Sequence, residues 1–130
     1  MSNIKTYCIT APDFDFSEVR LSVNHDLLTP EVANEINEFW NSDDWRLSKE
    51  GGDVVRTVIR LFGAIAISYL QGIGGADISA TSEEDRQMWT ESILTAQAEG
   101  WPTYQELGIQ LVSANVMCVD YEVVELEETA

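Results

Sequence analysis

The stretch from Gly51 to Gly75, GGDVVRTVIRLFGAIAISYLQGIGG, constrains the fold of this chain more than any other. Between its glycine pairs stand Val54, Val55, Val58, Ile59, Leu61, Phe62, Ile65, Ile67, Tyr69 and Leu70, with Arg56 and Arg60 as the only basic residues. Wound as a helix, those apolar residues occupy nearly every side. Such a helix belongs inside a membrane or inside a protein core. The uncharged apolar run Leu61–Leu70 is ten residues long, short of the roughly 18–20 that cross a bilayer. The expectation is a core helix over about 52–72, opened by Asp53 and ended by Gly72, Gly74 and Gly75.

What could cover that helix follows from the flanks. Before it, LTPEVANEINEFW has an N-cap in Thr29 and a proline at the first helical position. Val32, Ile36, Phe39 and Trp40 then recur on one face, and Glu31, Glu35 and Glu38 on another, so an amphipathic helix with an acidic stripe is expected over about 30–41. The polar stretch NSDDWRLSKEGG leaves room for one helical turn around Trp45. After the glycines, Ser82 with Asp85, or Thr81 with Glu84, forms a capping-box-like start for a helix over about 82–98 that buries Trp89, Ile93 and Ala96. The segment EGWPTYQELG reads as a loop with a short turn.

Strands are expected at both chain ends. Ile4–Thr10 carries β-formers, APDFDF is a turn or loop, and Val19, Leu21 and Val23 alternate with polar residues. At the other end, Ile109–Val112 reads as a strand, and Met117, Val119, Tyr121 and Val123 alternate as another. The order strands, helices, strands predicts a single α+β domain over 1–130: an antiparallel sheet from both chain ends, packed against the central helix and two amphipathic ones.

Charge narrows the function. Twenty-three acids against seven bases give a net charge of −16, a field that repels nucleic acid and anionic membranes and attracts basic partners. No Lys or Arg follows Arg86. The same acidity would also serve solubility alone. With two cysteines, Cys8 and Cys118, and no secretory pattern in MSNIKTYC, a reduced cytoplasmic compartment is expected. A disulfide would require their strands to be neighbours.

Catalytic and cofactor signatures are weak. His25 is the only histidine, which excludes a His cluster for zinc, and in VNHDLLTP it suits a loop hydrogen bond better than catalysis. No GxSxG elbow and no GxxxxGK[ST] loop is present; the glycines of GIGGA suit a helix end. The triplets DFD, SDD and EED lack EF-hand spacing and read as solvated acids or caps, so no metal and no cofactor is expected. Arg56 and Arg60, one turn apart, are expected to pair with acids of neighbouring elements as internal anchors. Trp45 and Trp101 lie in polar or loop segments, where tryptophan either caps a core edge or marks an interface.

The pieces NEINEFW, VIRLFGA and EGWP resemble a family of phage and prophage proteins known only as a domain of unknown function, over roughly Leu21–Val112, leaving the first strand and acidic tail outside. The resemblance implies a small accessory protein of a mobile element in the bacterial cytoplasm, with no catalytic residues to carry over. Together with the charge, it favours a non-enzymatic protein that binds a basic host partner. That partner would be a nucleic-acid-binding defence protein, inhibited by a DNA-mimic-like decoy of the anti-CRISPR or anti-restriction type. The candidate partner-binding residues are Glu31, Glu35, Glu38, Asp43, Asp44 and Trp45. The alternative is a homo-oligomeric assembly protein, a homodimer for instance, whose acidity is only solubilising.

Overall fold

The computed structural model describes residues 3–97, 99–119 and 124–129. The elements run β1 (Ile4–Ala11), β2 (Ser17–Asn24), α1 (Pro30–Phe39), α2 (Asp43–Lys49), α3 (Val54–Gly72), β3 (Ala76–Ser79), α4 (Glu83–Gln97), α5 (Tyr104–Leu107) and β4 (Ile109–Val116). They form the expected α+β architecture, with a four-stranded antiparallel sheet in the order β1-β2-β4-β3 and the apolar helix α3 across it.

Local chemistry sets the helix ends where the sequence places them. The Thr29 hydroxyl accepts the Val32 N–H at 3.3 Å, and Pro30 follows at the first position. Asp53 caps α3 by accepting the Arg56 N–H, and the Ser82 hydroxyl accepts that of Asp85 at the start of α4. At the far end of α3, the Gly75 N–H returns to the Leu70 carbonyl at 2.8 Å with Gly75 at φ +91°, the closing bond of a Schellman ending. A Cβ on Gly75 would also lie 2.8 Å from the Val116 carbonyl, so this turn must be glycine for two separate reasons.

One sheet face is the core. Val19, Leu21 and Val23 of β2 and Ile109, Leu111 and Ala114 of β4 are buried, and Tyr7, Ile9 and Ala11 of β1 line up with them through the pairs Tyr7↔Leu21 and Ile9↔Val19. Against this face pack Ala33 and Ile36 of α1, Val58, Phe62, Ala66 and Leu70 of α3, and Ile93 of α4. Each fully buried side chain of this size contributes about 1.5–3 kcal/mol relative to its exposed state. Trp101 closes the core edge, its ring 5.5 Å from Phe62 in an edge-to-face arrangement.

Three expectations change. First, of the strand expected over Met117–Val123 only Met117–Val119 belong to the described residues, and these lie beyond β4, which runs through Val116; Tyr121 and Val123 fall outside the described residues. A register shift opposite Arg20/Leu21 inserts one extra residue into β4, so Leu111 and Ala114 both face inward and the alternation is interrupted at Ser113. Second, β3 occupies a segment that reads as loop; its four residues pair with Ser113–Val116. Third, α3 is buried on one side only. Arg56, Arg60, Ala64 and Ser68 form an outward stripe four residues apart. The 19-residue helix α3 is long and apolar enough to cross a membrane by length and composition, although the uncharged run alone is not. In this fold half of that helix is buried inside the protein.

Cys8 and Cys118 are free thiols. Cys8 is on β1 and Cys118 lies past β4, and β2 runs between those strands.

Candidate functional site

The acidic stripe stands on α1. Because Ala33, Ile36 and Asn37 turn toward the core, Glu31, Glu35 and Glu38 are left in solvent. Glu38 accepts a hydrogen bond from the Asn34 side chain at 3.1 Å, the one side-chain bond to any of these carboxylates among the described residues. Asp43 and Asp44 form the first turn of α2, where negative charge meets the positive end of the helix dipole.

A clasp joins the two helices. Asn37, 2% exposed, donates from Nδ2 to the Asp43 carbonyl at 3.2 Å and accepts from Arg46 Nε at 3.0 Å. The guanidinium also donates to the carbonyls of Asn37, Trp40 and Asn41. Those carbonyls lie at and just beyond the C-terminal end of α1, where unpaired acceptors need donors and a cation is favoured. This is why NEINEFW is followed by an irregular turn and a short helix, and it fixes Asp43 and Asp44 relative to α1.

Trp45 separates from the acids. It lines a cleft of about 130 Å³ with Arg46, Lys49, Thr57, Arg60 and Leu61, and Lys49 Nζ lies 5.2 Å from its ring centroid. The structure thus groups five of the six candidate residues on the α1–α2 unit as exposed or half-exposed acids, and sets the sixth beside cations.

Arg56 and Arg60 do pair with an acid of a neighbouring element, yet not as internal anchors. Both converge on Glu50, Arg60 at 2.6 Å and Arg56 at 3.9 Å, with the arginine side chains 64% and 60% exposed. The Glu50 side chain is only 15% exposed, but the guanidinium ends stand in solvent, so screening keeps the contribution of these pairs small, on the order of 1 kcal/mol. The outward stripe of α3 explains the difference, since four-residue spacing puts both arginines on the side away from the sheet. They form one wall of a cavity of about 300 Å³, with Tyr7, Cys8 and Thr10 opposite.

The remaining polar groups read structurally. Arg20 lies 3.8 Å from Glu18, and Arg86 donates to the Ala80 carbonyl. Among the described residues, therefore, cations lie within 4 Å of two acids, Glu18 and Glu50, and none lies that close to the α1 stripe. The Tyr7 hydroxyl meets His25 Nε2 at 2.9 Å, a loop hydrogen bond. Among the described residues no group of three or more His, Cys, Asp or Glu could hold a metal ion. At the start of α4, Glu83 accepts from Tyr104 Oη at 2.6 Å and Gln110 Nε2 at 2.8 Å. Burial first, then the Glu83 carboxylate, pushes the Tyr104 phenol up to about 12.

Sequence reasoning missed the tip of the β1–β2 hairpin, where Phe14 and Phe16 stand out into solvent. Its signal was two phenylalanines set among aspartates in a turn.

Comparison with known proteins gives this chain a family. Two relatives are each 37% identical over 62 residues: protein ea10 of Escherichia phage lambda, and the lambda prophage-derived protein ea10 of Escherichia coli O6:H1. The aligned stretch covers 47% of this chain, and the chain spans about half the length of these relatives, 48% in both cases. No solved structure matches the chain. The model of a family described as "Protein of unknown function (DUF2528)" matches residues 18–126, a longer stretch than the sequence motifs suggest, reaching into the acidic tail and leaving β1 outside. The chain belongs to the DUF2528 family.

Proposed function

We propose that this protein is a non-enzymatic accessory protein of a phage or prophage that acts in the cytoplasm of a bacterial host. It binds a basic, nucleic-acid-binding defence protein and occupies its DNA groove as an acidic decoy. The observation that carries this reading is the α1 stripe. Glu31, Glu35 and Glu38 are exposed, share one helix face and have no cation within 4 Å among the described residues. Successive carboxylates on such a face present a row of negative charge to an arginine-lined groove, and charge complementarity of that kind raises association rates and falls with salt. The kinship with phage lambda protein ea10 supports the mobile-element setting.

A panel of purified restriction nucleases and CRISPR effectors tests it, each titrated with this protein at about 50 and 300 mM salt, where screening of exposed charges differs markedly. One-to-one binding is expected at low salt, weakened at least tenfold by the triple variant E31Q/E35Q/E38Q. Binding that survives the triple variant, or no binding across the panel at low salt, refutes the decoy.

A second reading, self-association, is favoured by a specific observation: large apolar side chains including Phe39, Trp45, Ile73 and Met88 are more than half exposed. Sedimentation across micromolar concentrations separates the two, because a strict monomer removes the oligomer.

A further inference from the structure

We infer that the tip of the β1–β2 hairpin, together with Met117, Val119 and Val124, is a second docking surface. Its occupant is a protein segment with apolar side chains rimmed by lysine or arginine. The surface is separate from α1, and the inference stands or falls independently of the decoy.

The first observation is that the left-handed backbone closing the hairpin is carried by an exposed aromatic residue. After the 3-10 turn Pro12–Phe14, both Asp15 and Phe16 adopt left-handed backbone, at φ 58° and 55°. A bulky aromatic is among the residues least suited to that region, and a glycine or asparagine would make the same turn with less strain. The strained residue does not reach the core. Phe14 and Phe16 are 62% and 70% exposed. Strain of this kind, held in place by surrounding structure, collects at functional sites.

The second observation is what holds it. Ser17 is completely buried, and its hydroxyl donates to the Phe14 carbonyl at 2.8 Å while accepting the Met117 N–H at 3.0 Å. One side chain thus ties the hairpin tip to the first residue beyond β4. The consequence is an open cleft of about 850 Å³ lined by Phe16, Met117, Val119 and Val124, of which Val119 is 75% exposed. Apolar side chains gathered at one exposed place are removed from water by a partner that covers them.

The rim selects the occupant. Asp15 and Glu18 line the cleft, Asp13 precedes it, and Glu125 follows Val124. Of these, Glu18 alone has a cation within 4 Å, Arg20, among the described residues. A two-fold contact with a second copy would set these acids against their own copies. A segment with basic residues around an apolar centre has the complementary chemistry.

The test uses the full chain and a synthetic peptide of alternating leucine and lysine, followed by amide shifts in NMR at low salt. Shifts are expected at residues 13–18, 117–119 and 124–126. Phe16→Gly relieves the strained backbone, so it is expected to raise Tm while weakening the peptide at least tenfold. The pair F14S/F16S is expected to weaken it equally with an unchanged melt, and E31Q/E35Q/E38Q to leave it within twofold. A control peptide with serine for leucine should not bind at this patch. If F16G and F14S/F16S bind the peptide as the parent does, acidity alone explains the interaction and the inference fails. It also fails if sedimentation reveals a dimer that F14S/F16S dissolves, because the occupant is then a second copy.

Discussion

At Gly63 α3 approaches the edge strand β1 closely, and replacing this glycine with alanine tests how that strand is held. Away from tertiary contacts, Gly→Ala inside a helix stabilises by about 1 kcal/mol. Here a Cβ at position 63 would lie 2.7, 2.8 and 2.9 Å from three side-chain carbons of Ile9. Carbon atoms pack best at about 3.5–4.0 Å, so the strand or the helix must move by nearly 1 Å. Overpacking on that scale costs about 1–3 kcal/mol. The two effects oppose one another, and the net expectation for Gly63→Ala is a loss of up to about 2 kcal/mol, or up to about 8 °C in Tm for a chain of this length. A double-mutant cycle with Ile9→Ala isolates the clash. In that background the obstructing carbons are gone, so G63A should become neutral or stabilising, with a coupling of about 1–2 kcal/mol between the sites. Urea unfolding of the four proteins, compared at constant m, is the assay. If G63A stabilises the parent chain, or if the two substitutions add without coupling, β1 does not pack against α3 as described.

Other substitutions probe other joints. Asn37→Ala leaves the Asp43 carbonyl and Arg46 Nε without their buried partner; a loss of about 2–3 kcal/mol is expected in urea unfolding, and less than about 0.5 would refute the clasp. Gly75→Ala must accommodate φ +91° and a Cβ 2.8 Å from the Val116 carbonyl, so it should destabilise by about 2 kcal/mol or more, seen as a lower Tm. Tyr104 carries a proton to about pH 12 in the folded state, against about 10 when unfolded. Because the folded value is the higher one, its contribution to stability is complete below pH 10 and is lost as pH rises from 10 to 12. Ultraviolet titration should show one phenol ionising last, and Tyr104→Phe should remove that step; four coincident phenols would refute the assignment.

How much of this was legible follows the range of each interaction. The caps at Thr29, Asp53 and Ser82 are made by residues three positions apart, so the sequence exposes them directly. The α+β class follows from the same locality, because the period-two run at Val19–Val23 and the helical run after Thr29 each report their own neighbourhood. The longer reach of β4, past Val112 to Val116, and the missed β3 share one cause. The extra residue near Val112 interrupts β4's alternation, and β3 is held by pairing with β4 rather than by its own four residues. Arg56 and Arg60 show the same limit. Their pairing with an acid follows from spacing and charge, whereas their exposure depends on which side of α3 the sheet claims. The α1 acids were visible as a stripe, but the separation of Trp45 from them depends on how α2 seats against α3.

The stripe itself can be weighed against what α1 needs in order to fold. At its N-terminus the helix has Thr29 as cap and Glu31 beside the dipole, and at its C-terminus the Arg46 guanidinium takes up the free carbonyls. Its buried side is supplied by Ala33, Ile36 and Asn37. Glu35 contributes to none of these. It stands four residues from Glu31 and three from Glu38, positions at which like charges repel by a few tenths of a kcal/mol per pair. Within a chain of net charge −16, removing one negative charge also lessens repulsion across the whole molecule. Glu35→Gln should therefore leave the fold intact and raise stability by about 0.3–0.8 kcal/mol, most clearly at low salt. If the decoy reading is right, the same substitution lowers affinity for a basic partner. A carboxylate that stabilises nothing inside the molecule is then accounted for by what it meets outside. If affinity is unchanged while stability rises, Glu35 serves solubility alone, and the binding face must be sought elsewhere, first at Phe14 and Phe16.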